Sequence, residues 1–93
     1  MTLNDVIFID NLPTLDLHGF DRATAHVMIN DFIKENCFLK QNIVVIIHGI
    51  GSGAIYAETR ETLRKNKLVL DFKTHYHNNG CTIVEINVDK PSS

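Results

Sequence analysis

The 93-residue sequence predicts an α/β fold with a mixed sheet, in the order strand, helix, strand, helix, strand, strand. Three observations predict it. "IVVII" (43–47) is continuous, β-branched and apolar, as in a strand covered on both faces. The stretches on either side, 22–40 and 54–67, place apolar residues at helical spacing. Near the end, two β-prone runs bracket Asn78-Asn79-Gly80, a strong short-range hairpin signal. Two strand-helix-strand units imply parallel pairing, and the final hairpin adds an antiparallel strand.

Each element follows from local chemistry. Residues 1–13 form a leader ending at Pro13, in which "VIFI" reads either as a short edge strand or as an arm docked on the domain. The domain proper runs from 14 to 90. "TLDLHG" (14–19) alternates two leucines and stops on glycine, so it reads as a strand. Asp21 is a candidate helix N-cap. Beyond it Ala25, Met28, Ile29, Phe32 and Ile33 share a helical face. Gln41 and Asn42 break that pattern before 43–47. The second helix, 54–67, turns Ile55, Thr59 and Leu63 to the core. "VLDFKTHYH" and "CTIVEINV" are the hairpin strands, with Gly80 in the turn, and residues 91–93 are a tail.

Composition narrows the function classes. Hydrophobic residues make up 44% and charged residues 22%, as in an ordinary globular domain. The longest aliphatic run, Ile43–Ile47, is far short of the roughly 20 residues that span a membrane, so no membrane partner is expected. The leader carries Asp5 and Asp10 and no basic cluster, so it does not read as a signal peptide. Cys37 and Cys81 form no spaced motif, which suits free thiols in a reduced, cytosolic protein. The net charge of -2 lacks the broad basic footprint of many nucleic-acid binders. A local cluster of Arg60, Arg64, Lys65 and Lys67 can still serve as a patch.

The chemistry-bearing residues gather after the first two strands. In sheets with parallel strands, sites form outside the carboxyl ends. Asp16, His18 and His48 would share that edge with Gly19, Gly49, Gly51, Ser52 and Gly53. Asp16 and His18 are two apart on a strand and point to one face, where a carboxylate can orient an imidazole. His48 would supply the second half of acid–base chemistry. The glycine loop leads into a helix N-terminus, a natural anion site. A phosphodiester needs this set: a base, an acid and donors for the phosphate. Bland alternatives stand beside each. Glycines after a strand also permit tight turns, Asp16 can cap a turn, and strand-end histidines are often structural.

"LDLHG", "HGIGSGAI" and "NNGCTIVEI", in that order over about Thr14 to Val88, resemble the Smr (small MutS-related) domain. The likeness is strongest to the C-terminal domain of the second type of bacterial MutS-like protein, and stand-alone Smr proteins are also similar. The resemblance implies a two-layer α/β sandwich. It also implies nucleic-acid handling: DNA nicking or RNA cleavage, the latter on messages at stalled ribosomes. The family's Asp-x-His motif falls on Asp16 and His18. Its histidine-glycine loop falls on His48, Gly49, Gly51 and Gly53. Two positions depart. The loop's usual Lys or Arg is Ile50, and a frequent Arg is Tyr56. Two cations near the presumed phosphate are thereby lost. Arg22 and Arg60 are candidates to replace them, with Arg64 further along, and Tyr56 can stack on a base or serve as a half-buried helix aromatic.

Three functions compete on these grounds. One is an endonuclease that needs neither metal nor cofactor, with Asp16, His18 and His48 at its centre. Another is a non-catalytic module binding nucleic acid or a ribosomal surface. The third is a protein adaptor that uses the leader. His75 and His77 share a strand face, but no third ligand follows at motif spacing, so a solvated face is expected rather than zinc. Oligomeric state is open.

Overall fold

The computed structural model describes residues 11–49, 53–75 and 78–89. Its elements are β1 (Thr14–Asp16), α1 (Arg22–Phe38), β2 (Ile43–Ile47), α2 (Gly53–Lys65), β3 (Val69–His75) and β4 (Asn78–Ile86). They form one four-stranded sheet in the order β1-β2-β4-β3. β1 pairs parallel with β2. β4 lies between β2 and β3 and is antiparallel to both. β3 therefore runs in the direction of β2, and the second strand-helix-strand unit steps over β4. The βαβαββ order and the mixed sheet agree with the expected class.

The strand order follows burial. Cys81, Thr82, Ile83 and Val84 of β4 are all buried, as are the first four residues of β2. Such strands belong in the centre. β3 carries exposed Asp71 and Lys73 and takes the edge, where charge discourages further pairing.

Both helices cover one face. Ala25, Ile29, Ile33 and Cys37 of α1 and Ile55 and Leu63 of α2 pack with Val44, Ile46, Val84 and Ile86. Met28 and Phe32 lie half-buried against this cluster. Thr59 completes the inward stripe of α2 and donates its hydroxyl to the Ile55 carbonyl at 2.8 Å. On the other face, Ile43 and Ile83 pack with Leu12.

Four boundaries differ from the sequence reading, each for a side-chain or backbone reason. β1 ends at Asp16 rather than Gly19, because the Asp16 carboxylate accepts the His18 main-chain N–H at 2.9 Å and turns the chain. α1 stops at Phe38, and Lys40 takes φ 63° with its N–H on the Cys37 carbonyl. α2 stops at Lys65, and the Asn66 side chain accepts the Leu68 N–H at 2.8 Å. The hairpin is the largest correction. Asn78, Asn79 and Gly80 are the opening residues of β4, not the turn. His75 pairs with Asn78 while Thr74 pairs with Thr82, so the ladder slips at that point. Residues 76–77 between the strands lie outside the described residues.

Candidate nucleic-acid site at the carboxyl edge of the sheet

β1 and β2 end side by side, with Asp16 opposite Ile47. There Asp16, His18, Ile47, His48 and Gly49 line a cavity of about 180 Å³. Asp21 then caps α1, its carboxylate accepting the Thr24 N–H at 2.8 Å, which lowers its pKa from the ordinary value. The chain between turns at Gly19, whose φ of 81° favours glycine.

Asp16 and His18 flank buried Leu17 and are both exposed, as alternation predicted. Their contact is different in kind. The Asp16 carboxylate holds the main chain of His18, not its ring. The imidazole of His18 stands open to solvent at the cavity wall.

His48 is the opposite case, only 5% exposed. Its N–H and that of Gly49 both donate to the Gly80 carbonyl, at 2.9 and 3.1 Å. Its Nδ1 lies 3.0 Å from the Gly49 carbonyl, and its Nε2 lies 2.8 Å from Thr82 Oγ1. A carbonyl only accepts, so Nδ1 carries the proton. In the neutral ring Nε2 then accepts from the Thr82 hydroxyl. The Tyr56 ring meets the imidazole edge-on, with centroids 4.9 Å apart and planes at 67°. Both ring nitrogens of His48 are therefore engaged. Gly49, at φ 82°, makes the turn that lets its own carbonyl reach back to the ring.

Tyr56 joins the site to β3. Its hydroxyl lies 3.4 Å from Thr74 Oγ1 and accepts from Arg60 Nη1 at 3.4 Å. The Thr74 contact, then the Arg60 charge, hold this phenol below its ordinary pKa. The Arg60 guanidinium lies 5.7 Å from the Tyr56 ring centre and 5.5 Å from that of Phe72.

The other expected cations are dispersed. Arg22 Nε lies 3.3 Å from Glu58 Oε1. Arg64 and Lys65 share Glu61, at 2.9 and 3.0 Å. Arg64 stands in the last turn of α2, about 16 Å of helix axis from Gly53 at the site edge. It does not share that edge. Gly53 opens α2, and a Cβ there would meet nothing within 4 Å. Gly51, Ser52 and Ile50 lie outside the described residues, as does His77, so the paired-histidine face is not described.

Gly80, Cys81 and Thr82 were not anticipated as site residues. Cys81 lies opposite Ile47, which lies opposite Asp16, so the three share one row and one face. Burial first, then the Asp16 carboxylate, push the Cys81 thiol up. A usable signal for Thr82 was present: it is a hydroxyl at an inward position of an otherwise apolar run.

This geometry defines a class: a two-layer α/β domain in which a carboxylate, an open imidazole and a histidine-glycine loop meet at the carboxyl ends of parallel strands. The chain belongs to the Smr domain family, whose model matches residues 15–87. It is similar to a protein named Endonuclease MutS2 from Aquifex aeolicus (strain VF5), with 40% identity over 72 residues, 77% of this chain and 9% of that protein. Endonuclease MutS2 from Ligilactobacillus salivarius (strain UCC118) is 38% identical over 68 residues, 73% of this chain and 9% of that protein. The chain thus spans under a tenth of the length of these relatives. The crystal structure of the Smr domain of Thermus thermophilus MutS2 superposes with a TM-score of 0.77 at 28% identity, covering 81% of this chain and 98% of that one. YdaL, a stand-alone small MutS-related protein from Escherichia coli, shares the fold at a TM-score of 0.64 and 21% identity, over 78% of this chain and 63% of that one. Among the described residues, no helix is long and apolar enough to cross a membrane.

Proposed function

We propose that this chain is a nucleic-acid-processing domain that cuts phosphodiester bonds, and that His18 performs the proton transfer. One observation carries this: an open imidazole and a carboxylate line the same cavity as the histidine-glycine loop. The endonuclease relatives support it, although the match covers only 9% of their length.

His18 would take the proton of the attacking hydroxyl, the 2′-hydroxyl in RNA or water in DNA nicking; as the new P–O bond forms, the P–O bond to the leaving oxygen breaks and that oxygen takes a proton from water. Asp16 holds the backbone from which His18 projects. The start of α2 brings the positive end of a helix dipole to the same edge, suited to phosphate. His48, expected from sequence to share proton transfer, would first have to release Thr82. We assign it to positioning: it locks Gly49 to Gly80 and β4. Tyr56, which meets the His48 ring, and Arg60, which lies over Tyr56, would be the aromatic and the cation for substrate contact, in place of the missing loop cation. A message on a stalled ribosome is one substrate within this class.

The engaged ring of His48 favours a second function, binding without scission. End-labelled single-stranded RNA and supercoiled plasmid, incubated with the parent and with His18→Ala and Asp16→Asn, separate the two. Cleavage by the parent, lost in His18→Ala with the fold retained, is expected. Cleavage that survives in both variants refutes the site. Salt-sensitive binding by a parent that never cuts selects the binding module.

A further inference from the structure

Arg60 stands apart from the other arginines. Arg22 meets Glu58 and Arg64 meets Glu61. Among the described residues Arg60 meets no carboxylate, and its guanidinium lies over two rings instead. Tyr56 and Arg60 are one turn apart on α2, and Phe72 and Thr74 are two apart on β3, so each pair shares a face. The pairs meet between the two elements: Arg60 lies 5.5 Å from the Phe72 ring centre, and the Tyr56 hydroxyl lies 3.4 Å from Thr74 Oγ1. A guanidinium carries five N–H donors in a planar fork. One of them meets the Tyr56 hydroxyl. The rings hold the side chain at a half-buried position, so little freedom is left to lose when a ligand arrives. For packing alone, an apolar side chain there would serve without a partly desolvated cation that lacks a counter-charge.

We propose that the Tyr56–Arg60–Phe72 stack is a second phosphate subsite, in which Arg60 takes the phosphate of a nucleotide neighbouring the one at His18. This rests on the reading that the edge handles nucleic acid, whether it cuts or only binds. Two links join the stack to the cavity. The Tyr56 ring meets the His48 ring at 4.9 Å and the Arg60 guanidinium at 5.7 Å, which keeps Arg60 within about 11 Å of that imidazole. Thr74 lies opposite Thr82, whose hydroxyl meets His48. A stacked strand carries a phosphate about every 3.4 Å of its axis, so the separation matches one to three nucleotides.

The test is the salt dependence of binding to a fluorescein-labelled single-stranded oligodeoxythymidine, which carries phosphates and no 2′-hydroxyl. Arg60→Gln should weaken binding about tenfold or more and reduce the slope of log K against log salt by about 0.7, the share of one phosphate. Lys34→Gln removes the same charge about 18 Å of helix axis from the start of α1 and should leave the slope unchanged. Arg60→Lys should restore the slope and part of the affinity. An unchanged slope in Arg60→Gln overturns the subsite while leaving the nucleic-acid reading intact, and so does an equal fall in Lys34→Gln. Arg60→Lys binding no better than Arg60→Gln overturns it in favour of a packing role. A parent that does not bind at low salt removes the nucleic-acid reading itself, and the subsite with it. If Arg60→Gln does not fold, the Arg60 Nε–H resonance of the isotopically labelled parent decides: a shift on adding the oligonucleotide supports the subsite, and an unmoved resonance refutes it.

Discussion

Thr82→Val isolates the bond that holds His48. Valine matches threonine in shape and suits a strand, so packing in β4 is preserved. What is lost is the hydroxyl 2.8 Å from His48 Nε2, between a residue 1% exposed and one 5% exposed. A buried acceptor left without a donor costs about 1–3 kcal/mol. With an m-value of about 1–3 kcal/mol/M for urea, a 2 kcal/mol loss lowers the midpoint by about 1 M. The sharper quantity is the coupling with His48→Phe. The double variant has neither the nitrogen nor the hydroxyl, and replacing both partners of a buried bond is close to neutral. The two single penalties should therefore exceed the double penalty by about 1–2 kcal/mol. The assay is equilibrium urea unfolding of the four proteins at neutral pH. Simple additivity would refute the claim that Thr82 anchors His48, and with it the positioning role.

Three further outcomes follow from the same geometry. Gly49→Ala should cost about 1–2 kcal/mol because φ is 82°, whereas Gly53→Ala, at an open helix start, should cost nothing or stabilise slightly; equal costs by urea unfolding would contradict this. Leu63→Ala, at 1% exposure, should lose about 2–5 kcal/mol, and Phe38→Ala, at 79%, should change stability by less than about 0.5 kcal/mol. The Glu58 carboxyl is held below its usual 4.5, first by the Thr62 hydroxyl and then by Arg22. A depressed folded pKa contributes stability that is present above the unfolded value and lost as pH falls through the folded one. The parent should therefore lose more stability than Glu58→Gln on acidification below about pH 4.5, and parallel curves would count against it.

Several of these features were legible in the sequence because their cause is local. Asp21 caps α1 through a residue three positions on, and Ala25, Ile29 and Ile33 share a helical face through spacing alone. Asp16, His18, His48 and Gly49 meet at one edge because consecutive parallel strands put their ends together. The hairpin signal misled in detail. Asn-Gly marks a turn when nothing else competes, but here Gly80 supplies the carbonyl that receives both His48 and Gly49. That tertiary demand draws Asn78–Gly80 into β4.

The basic patch takes a different form in three dimensions. Four cations within eight residues look like a surface field in one dimension. In three dimensions Arg60 lies over Tyr56 and Phe72, and Glu61 takes Arg64 and Lys65. By itself the sequence determined which segments become helices and strands, and which edge gathers Asp16, His18 and His48, because periodicity and glycine conformation act within a few residues. Only the tertiary structure decided that β4 enters between β2 and β3, that His18 stands open while His48 is buried, and that Thr82 holds the buried ring. Those outcomes depend on contacts such as His48 with Thr82, 34 positions apart, and on which strand buries both faces.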